Sequence, residues 1–352
     1  MIWTRATPSA ARRHPSRSLA LGSLVLCVGC AAGRSAEPVP TASAPQLEVA
    51  AGPVCVEGSE RTAVAFPDPG LDRVIRMTLG AGPDEVLTCS RLAEVTRLHA
   101  PDAGISDLSG IENLVRLGEL HVYGHNAIRD LSPLRHLTAL TDLNLARNQI
   151  EDVTPLAALR TLTSLDLYGN PVRDVAPLAE LRGLIRLRVG SGVRLDNLEA
   201  LSGLTMLARL ELLDNAVADL RALAPLTQLT RLAVQNNPHL SDLAPLAGLL
   251  NLEILELGLT AVSDLSALGA LPRLTTLGLA GTRVSDLGPL LGLLGLTRLD
   301  LRDDMLVSDV QPLLFHPSFG AGDAIRLEGS AVSCTDVAAL EAKGLVVFST
   351  CP

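Results

Sequence analysis

One apolar motif returns ten times along this chain, and that periodicity constrains the fold more than any other feature. Successive copies begin about 22 residues apart, at Leu92, Leu114, Leu137, Leu159, Leu181, Leu204, Leu226, Leu249, Leu271 and Leu293. The copy at 159–170 reads Leu-x-x-Leu-x-x-Leu-x-Leu-x-x-Asn. The alternation of Leu165 and Leu167 predicts a short strand with one buried face. A motif repeated at this spacing predicts a solenoid, in which each unit buries its apolar face against its neighbours.

Composition agrees with stacked aliphatic layers and excludes several function classes. The chain is 47% hydrophobic but only 2% aromatic, whereas a single globular core of this size normally contains more rings. Its net charge of -9 argues against a nucleic-acid partner, which requires a basic surface. The sequence contains no nucleophile elbow, zinc-protease helix, phosphate loop or dinucleotide fingerprint. We therefore expect no enzymatic activity and no cofactor.

The motif resembles the leucine-rich-repeat subclass with repeats of about 22 residues, which occurs in internalins and in a regulatory subunit of type-1 protein phosphatase. The resemblance covers 92–315 as ten repeats, with an N-terminal cap at 54–91 and a C-terminal cap at 316–352. Residues 66–71, Phe-Pro-Asp-Pro-Gly-Leu, are similar to the start of the internalin cap. The resemblance implies an α/β fold: a curved solenoid with a parallel concave sheet, short 3-10 or helical convex segments and helical caps. It also implies a binding function.

The first 30 residues are typical of an export signal. Basic residues Arg5, Arg12, Arg13 and Arg17 precede an apolar run of roughly 11 residues, shorter than the ~20 of a membrane-spanning helix. The run ends at Cys30, which resembles the lipidated cysteine of a bacterial lipobox, although Cys27 departs from that pattern. Plain secretion and an uncleaved anchor are the alternatives. Residues 31–53 are rich in Ala, Pro and Ser and predict a flexible tether.

These features predict a monomeric lipoprotein of the cell envelope. By analogy with lipoproteins, Ala31 favours the outer membrane over the inner one, because the residue after Cys30 is not the aspartate associated with inner-membrane retention. The membrane would then be contacted through the N-terminal lipid. Secreted or periplasmic protein is the alternative location.

Four further cysteines lie in the two caps. Cys55 and Cys89 precede the repeats, while Cys334 and Cys351 follow them. Four cysteines allow three pairings, and these positions favour Cys55–Cys89 and Cys334–Cys351. Each bridge would stabilise one end of the solenoid by ~3 kcal/mol. Metal binding is the rival interpretation, but no Cys-x-x-Cys pair occurs among the four.

Two polar rows recur with the repeat, and both are predicted to be structural. An aspartate precedes the short helical turn of nearly every repeat, at Asp107, Asp130, Asp152, Asp174, Asp219, Asp242, Asp264, Asp286 and Asp309, with Asn197 in the fifth repeat. Such side chains cap free backbone amides, so we expect caps and not calcium ligands. An asparagine row, Asn126, Asn148, Asn170, Asn215 and Asn237, is expected to satisfy the buried backbone of the turn after each strand.

Function is expected on the strand positions that the repeat leaves free. The candidate partner-binding residues are His121, Tyr123, Asp142, Asp166, Tyr168, Arg186, Arg188, Arg209, Glu211 and Arg231. Arg186, Arg209 and Arg231 occupy one column on consecutive strands, where like charges repel unless neutralised. Either the neighbouring acidic residues pair with them, or an anionic partner does. The only two tyrosines lie in another column and are either binding hot spots or incidental.

His99, His121 and His125 lie close together in the pattern and suggest zinc. No carboxylate is evident in a clear fourth position, so we expect no metal site. The function predicted overall is binding of a protein partner by the concave sheet. A structural envelope scaffold without a discrete ligand is the second hypothesis, and a metal-dependent enzyme is the third.

Overall fold

The computed structural model describes residues 55–56, 58–191 and 195–351. The predicted signal segment 1–30 with Cys30, and the predicted tether 31–53, lie outside the described residues. Within the described part, no helix combines the length and apolar character needed to cross a bilayer.

Twelve short parallel strands form one sheet in chain order. They are β1 (Arg97–His99), β2 (Glu119–His121), β3 (Asp142–Asn144), β4 (Ser164–Asp166), β5 (Arg186–Arg188), β6 (Arg209–Glu211), β7 (Arg231–Ala233), β8 (Ile254–Glu256), β9 (Thr276–Gly278), β10 (Arg298–Asp300), β11 (Ala324–Arg326) and β12 (Val346–Phe348). The central residue of β1 to β10 is always a leucine, and these leucines are in register and buried. The predicted leucine-rich-repeat solenoid is therefore confirmed.

Short 3-10 helices on the convex side close each layer and stack on one another. They span Ile111–Asn113, Ser132–His136, Thr154–Ala158, Ala176–Glu180, Glu199–Leu201, Arg221–Leu223, Ala244–Leu246, Ser266–Leu268 and Gly288–Gly292, and the α-helical turn α3 (Gln311–Leu314) follows. The side chain of each predicted cap, including Asn197, accepts a hydrogen bond of 2.7 to 2.9 Å from the amide two residues later. The aspartate row thus caps helical turns, as predicted.

The asparagine row is also structural. Asn170 is buried, and its Oδ1 accepts from the amide of Ile150 at 3.1 Å. Its Nδ2 donates to the carbonyl oxygens of Leu145 and Leu167 at 2.8 and 3.0 Å. Each such side chain therefore satisfies backbone groups of its own turn and of the preceding layer.

The N-terminal cap carries helix α1 (Pro69–Leu79) and the turn α2 (Cys89–Leu92). Asp68 is the N-cap of α1, and its Oδ1 accepts from the amides of Gly70 and Leu71 at 2.8 and 3.0 Å. Its Oδ2 accepts from the amide of Ser106 at 2.9 Å, which joins the cap to the first repeat. Burial acts to raise the pKa of Asp68, but these backbone hydrogen bonds outweigh it and hold the pKa below its usual value.

Both predicted disulfide bridges are present. Cys55–Cys89 closes a loop of 34 residues before the repeats, and Cys334–Cys351 closes one of 17 residues after them. The second bridge ties helix α4 (Cys334–Ala342) to the end of the chain. Ser333 is the N-cap of α4, and its Oγ accepts from the amide of Asp336 at 3.1 Å.

The sheet continues past the tenth repeat into the C-terminal segment. Strand β12 is the last strand of the sheet, and β11 precedes it. The leucine spacing did not predict β11, because its core residues Phe319, Ile325 and Leu327 do not follow that spacing. Lys343, the only lysine, donates to the carbonyl oxygens of Leu313 and His316 at 2.6 and 2.7 Å. These bonds dock α4 on the end of α3.

Candidate partner-binding surface

The concave face is formed by the first and third residue of each strand, which flank the buried central leucine. In β5 and β6 both of these positions remain at least partly exposed. Neighbouring strands lie ~4.8 Å apart, so side chains at equal positions on adjacent strands contact each other. The predicted site residues therefore lie on one continuous surface from β2 to β7.

An ion-pair network occupies the middle of this surface. Arg188 lies 3.5 Å from Asp166 and 3.1 Å from Glu211, and Glu211 also lies 3.4 Å from Arg231. Burial raises the pKa of Asp166, partly offset by a hydrogen bond from the amide of Tyr168 and by the charge of Arg188. The hypothesis of cross-strand neutralisation is thus correct for Arg188 and Arg231.

Arg186 and Arg209 are different. They are paired in register on β5 and β6, and both are exposed. In the part of the chain that the structure describes, neither has a salt bridge within 4.0 Å. Two exposed guanidinium groups on adjacent strands therefore have no counter-ion among the described residues, and each offers a planar fork of donors to a carboxylate.

The two tyrosines have unequal surroundings. The Arg188 guanidinium lies over the ring of Tyr168, 4.0 Å from the centroid, and the Tyr168 hydroxyl donates to Asp214 at 3.2 Å. Tyr168 is therefore held in place by a cation–π contact and a hydrogen bond. Tyr123 is 39% exposed and is more open to a partner.

A shallow groove of about 360 Å³ lies between the two tyrosines. Its lining includes Tyr123, His125, Asn144, Arg147, Tyr168 and Arg188. Tyr123, Ala146 and Tyr168 occupy the same position in three consecutive repeats. The groove exists because the small side chain of Ala146 lies between the two tyrosine rings. An aromatic wall on each side with charged groups at the rim is typical of a surface that binds a partner side chain.

At the N-terminal end of the face, histidines and acids form a compact cluster. Nε2 of His99 lies 2.7 Å from Oε1 of Glu119, and Nε2 of His121 lies 3.6 Å from the same oxygen and 3.2 Å from Oδ1 of Asp142. The rings of His99 and His121 stack, with centroids 4.6 Å apart. His125 is outside the cluster, because it pairs with Asp102 at 2.7 Å. Sequence reasoning missed Glu119, although it stands two residues before His121 and so on the same face.

Comparison with known proteins agrees with the leucine-rich-repeat fold. Residues 117–158 and 138–180 match the family described as Leucine Rich repeats (2 copies). The structure of the internalin InlF from Listeria monocytogenes is similar, with 26% sequence identity, coverage of 81% of this chain and 91% of the internalin, and a TM-score of 0.67. The chain has an internalin-like leucine-rich-repeat fold. No curated protein matches it in sequence.

Two more distant structures share the leucine-rich-repeat architecture. The plant peptide hormone receptor RGFR1, in complex with RGF2, is 16% identical, with coverage of 75% of this chain and 48% of the receptor and a TM-score of 0.56. TLR13, in complex with ssRNA13, is 20% identical, with coverage of 69% and 38% and a TM-score of 0.54. At these identities the likeness concerns the fold alone.

The leucine-rich-repeat solenoid has a second concave depression that the sequence analysis missed. It measures about 310 Å³ and lies over β8 to β12, with Glu256, Gly278, Arg298, Asp300, Arg326 and Phe348 among its lining residues. Burial, together with the charge of Asp300, raises the pKa of Glu256, partly offset by Arg231 and Arg302. The signal in the sequence was Gly278, because a side chain there would clash with the carboxylate of Glu256, which lies over it.

Proposed function

We propose that this chain is an exported, lipid-anchored module that binds a protein partner through strands β2 to β7 of its concave sheet. The observation that carries the proposal is the exposed pair Arg186 and Arg209. Both lack an internal counter-ion among the described residues, while the neighbouring Arg188 is fixed by Asp166 and Glu211. The arrangement therefore combines a rigid, charge-neutralised centre with two guanidinium groups free to bind.

The chemistry of the partner follows from that arrangement. Two guanidinium forks on adjacent strands match a segment with two carboxylates, each held by paired hydrogen bonds. The groove beside them, between Tyr123 and Tyr168, accepts one side chain of the partner. A protein loop rich in Asp or Glu satisfies both requirements. A scaffold without a ligand would leave the two arginines unneutralised, so the exposed pair favours binding over that alternative.

Export and anchoring are supported by two independent features. Disulfides form in oxidising compartments, and both cap bridges close in the structure. The N-terminal sequence up to Cys30 has the order of a lipoprotein signal. We place the monomeric protein in the cell envelope, anchored in the outer membrane through lipid on Cys30, and we propose binding and not catalysis as its activity.

The partner surface is tested by crosslinking pulldown from native membranes with the lipid-anchored protein. The site variant carries Arg186→Glu, Arg209→Glu and Tyr168→Ala. The matched control reverses two exposed arginines elsewhere on the repeats, Arg173→Glu and Arg182→Glu. We expect at least a tenfold loss of the main crosslinked partner for the site variant only. Equal recovery from the site variant and the wild type would show that the partner binds elsewhere.

The anchor is tested separately with Cys30→Ala. Wild type is expected to partition into the detergent phase of a Triton X-114 extract and to carry lipid on its N-terminal residue by mass spectrometry. The variant should stay in the aqueous phase. Detergent partition of both proteins without lipid on Cys30 would instead indicate an uncleaved apolar anchor.

A further inference from the structure

His99, Glu119 and His121 form a group of metal-ligating side chains on two adjacent strands. The register of strands β1 and β2 places His99 directly opposite His121. Glu119 and His121 flank the buried Leu120 in β2, so their side chains lie on the same face of the sheet. One ligand atom from each of the three residues lies within 4.8 Å of the other two. The backbone register thus brings two imidazoles and a carboxylate together without any loop rearrangement.

The separations within the group suit a small divalent ion. Zinc binds histidine nitrogen and carboxylate oxygen at ~2.1 Å, so ligand atoms around a tetrahedral ion are ~3.4 Å apart. The Glu119 oxygen lies 2.7 and 3.6 Å from the two Nε2 atoms, which brackets that distance. Rotation about the broad ring torsions of two partly exposed histidines is enough to aim both nitrogens at one point.

Charge in the vicinity also favours a cation. Asp142 lies 3.2 Å from Nε2 of His121, so two carboxylates border the two imidazoles. Their two negative charges balance a divalent ion, whereas two protonated histidines stacked at 4.6 Å would repel each other. Imidazole and carboxylate together are ligands for zinc and not for calcium, which takes oxygen ligands.

We propose that His99, Glu119 and His121 bind one zinc ion on the concave face, with Asp142 beside the site as the second balancing charge. Three protein ligands leave a coordination position open toward solvent. On a concave surface that position is accessible to a water molecule or to a side chain of a bound partner. Zinc binding by these residues requires no partner, so it stands or falls independently of the proposed protein-binding function.

The test is isothermal titration calorimetry of the purified, untagged full chain with zinc chloride. The chain is produced without lipid and carries Cys27→Ser and Cys30→Ser, because unmodified thiols at these two positions would bind zinc themselves. We expect one zinc per chain. His99→Ala, His121→Ala and Glu119→Gln should each weaken binding by at least tenfold, with unchanged far-ultraviolet circular dichroism. Glu119→Gln keeps the size and a hydrogen-bonding group, so its loss of affinity reports the lost carboxylate.

The matched control is His125→Ala, which removes another exposed histidine paired with a carboxylate, Asp102. It should leave the affinity for zinc unchanged. Three results would overturn the proposal: no equimolar binding by the parent chain, unchanged affinity in His121→Ala, or an equal loss in His125→Ala.

Discussion

The two halves of the solenoid satisfy the same buried turn with different chemistry. In the second, third, fourth, sixth and seventh repeats the turn after the strand uses asparagine, at Asn126, Asn148, Asn170, Asn215 and Asn237. The last three repeats use Thr260, Thr282 and Asp304 at the same position, and all three are buried. Asparagine supplies an acceptor and two donors, threonine supplies one hydroxyl, and an ionised aspartate supplies acceptors only.

The hydrogen bonds follow this chemistry. Nδ2 of Asn237 donates to the carbonyl oxygens of Leu212 and Val234 at 2.9 and 2.8 Å. In contrast, Oδ1 of Asp304 accepts from the amide of Thr282 at 2.7 Å, and its buried Oδ2 has no hydrogen-bond partner among the described residues. By its place in the repeat, Oδ2 takes the position of the asparagine nitrogen, which elsewhere donates to carbonyl oxygens.

The difference teaches that one repeat position demands a hydrogen-bond pattern and not a particular residue. Where the pattern is incomplete, an ionisable group is left buried. Burial raises the pKa of Asp304 to about 6, because the charged form is desolvated. The hydrogen bonds from Thr282 offset part of this rise, and the charges of Asp300 and Asp303 add to it. The neutral acid can donate where the carboxylate cannot. At this position of the repeat, the described turns of the N-terminal half carry asparagine, which does not titrate, whereas Asp304 makes the last turn sensitive to pH.

Removing either disulfide should cause the largest loss of unfolding free energy, and the loss should differ between the two ends of the solenoid. If a disulfide stabilises by lowering the entropy of the unfolded chain, bridges that close loops of 34 and 17 residues contribute about 3.8 and 3.1 kcal/mol to the free energy of unfolding. Cys55→Ala with Cys89→Ala should thus destabilise more than Cys334→Ala with Cys351→Ala. Urea unfolding followed by circular dichroism measures both. A larger loss for the C-terminal pair would show that native packing, not loop length, sets the order.

Replacing the buried turn residue by alanine should lower the free energy of unfolding more in the repeats that use asparagine than in those that use threonine. Asn170→Ala removes three hydrogen bonds to buried backbone groups and should cost about 3 kcal/mol. Thr260→Ala removes one hydrogen bond, to the carbonyl oxygen of Leu257, and should cost about 1 kcal/mol. The urea midpoints of the two variants provide the comparison, and equal losses would contradict the distinction between the halves.

Asp304→Asn should restore the asparagine pattern and stabilise the protein at neutral pH. Between about pH 4 and pH 6 the folded state binds more protons than the unfolded one, so the contribution of Asp304 to stability falls as pH rises. Above about pH 6 the destabilisation is complete and amounts to about 3 kcal/mol. The gain in unfolding free energy of the variant over the wild type should therefore be largest at pH 7 and absent near pH 4.

The measurement for Asp304 is the free energy of unfolding of wild type and variant at several pH values. Subtracting the two curves removes the titration of all other groups. Asn237→Asp is the reciprocal control and should introduce a similar pH dependence in the first half. A difference curve without slope between pH 4 and pH 6 would be incompatible with a raised pKa at Asp304.

The smallest expected effects concern the concave charges. Glu211→Gln loses ion pairs with Arg188 and Arg231 and should cost about 1 kcal/mol or less, since all three groups are partly exposed. Glu256→Gln loses no ion pair within 4.0 Å in the described structure, and it removes a charge that burial disfavours. The substitution should therefore not lower the free energy of unfolding. Thermal unfolding scans of the two variants test this contrast, and a larger loss for Glu256→Gln would reverse it.

The sequence alone determined the scaffold. The leucine spacing assigned the core position of each of the first ten strands, and nine aspartates with Asn197 marked the caps of ten turns. The positions of the four cap cysteines on either side of the repeats favoured the pairs Cys55–Cys89 and Cys334–Cys351, which the structure contains. These features follow from sequence because a repeat fixes where each residue lies within its own layer.

Only the tertiary structure decided how neighbouring layers use their free positions. It placed Glu211 between Arg188 and Arg231, left Arg186 and Arg209 exposed, and brought Glu119 between two histidines. The physical reason is that cross-strand partners lie in different repeats, and side-chain rotamers decide among several partners within reach. Strand β11 likewise required the structure, because its layer is built from Phe319, Ile325 and Leu327 outside the leucine spacing.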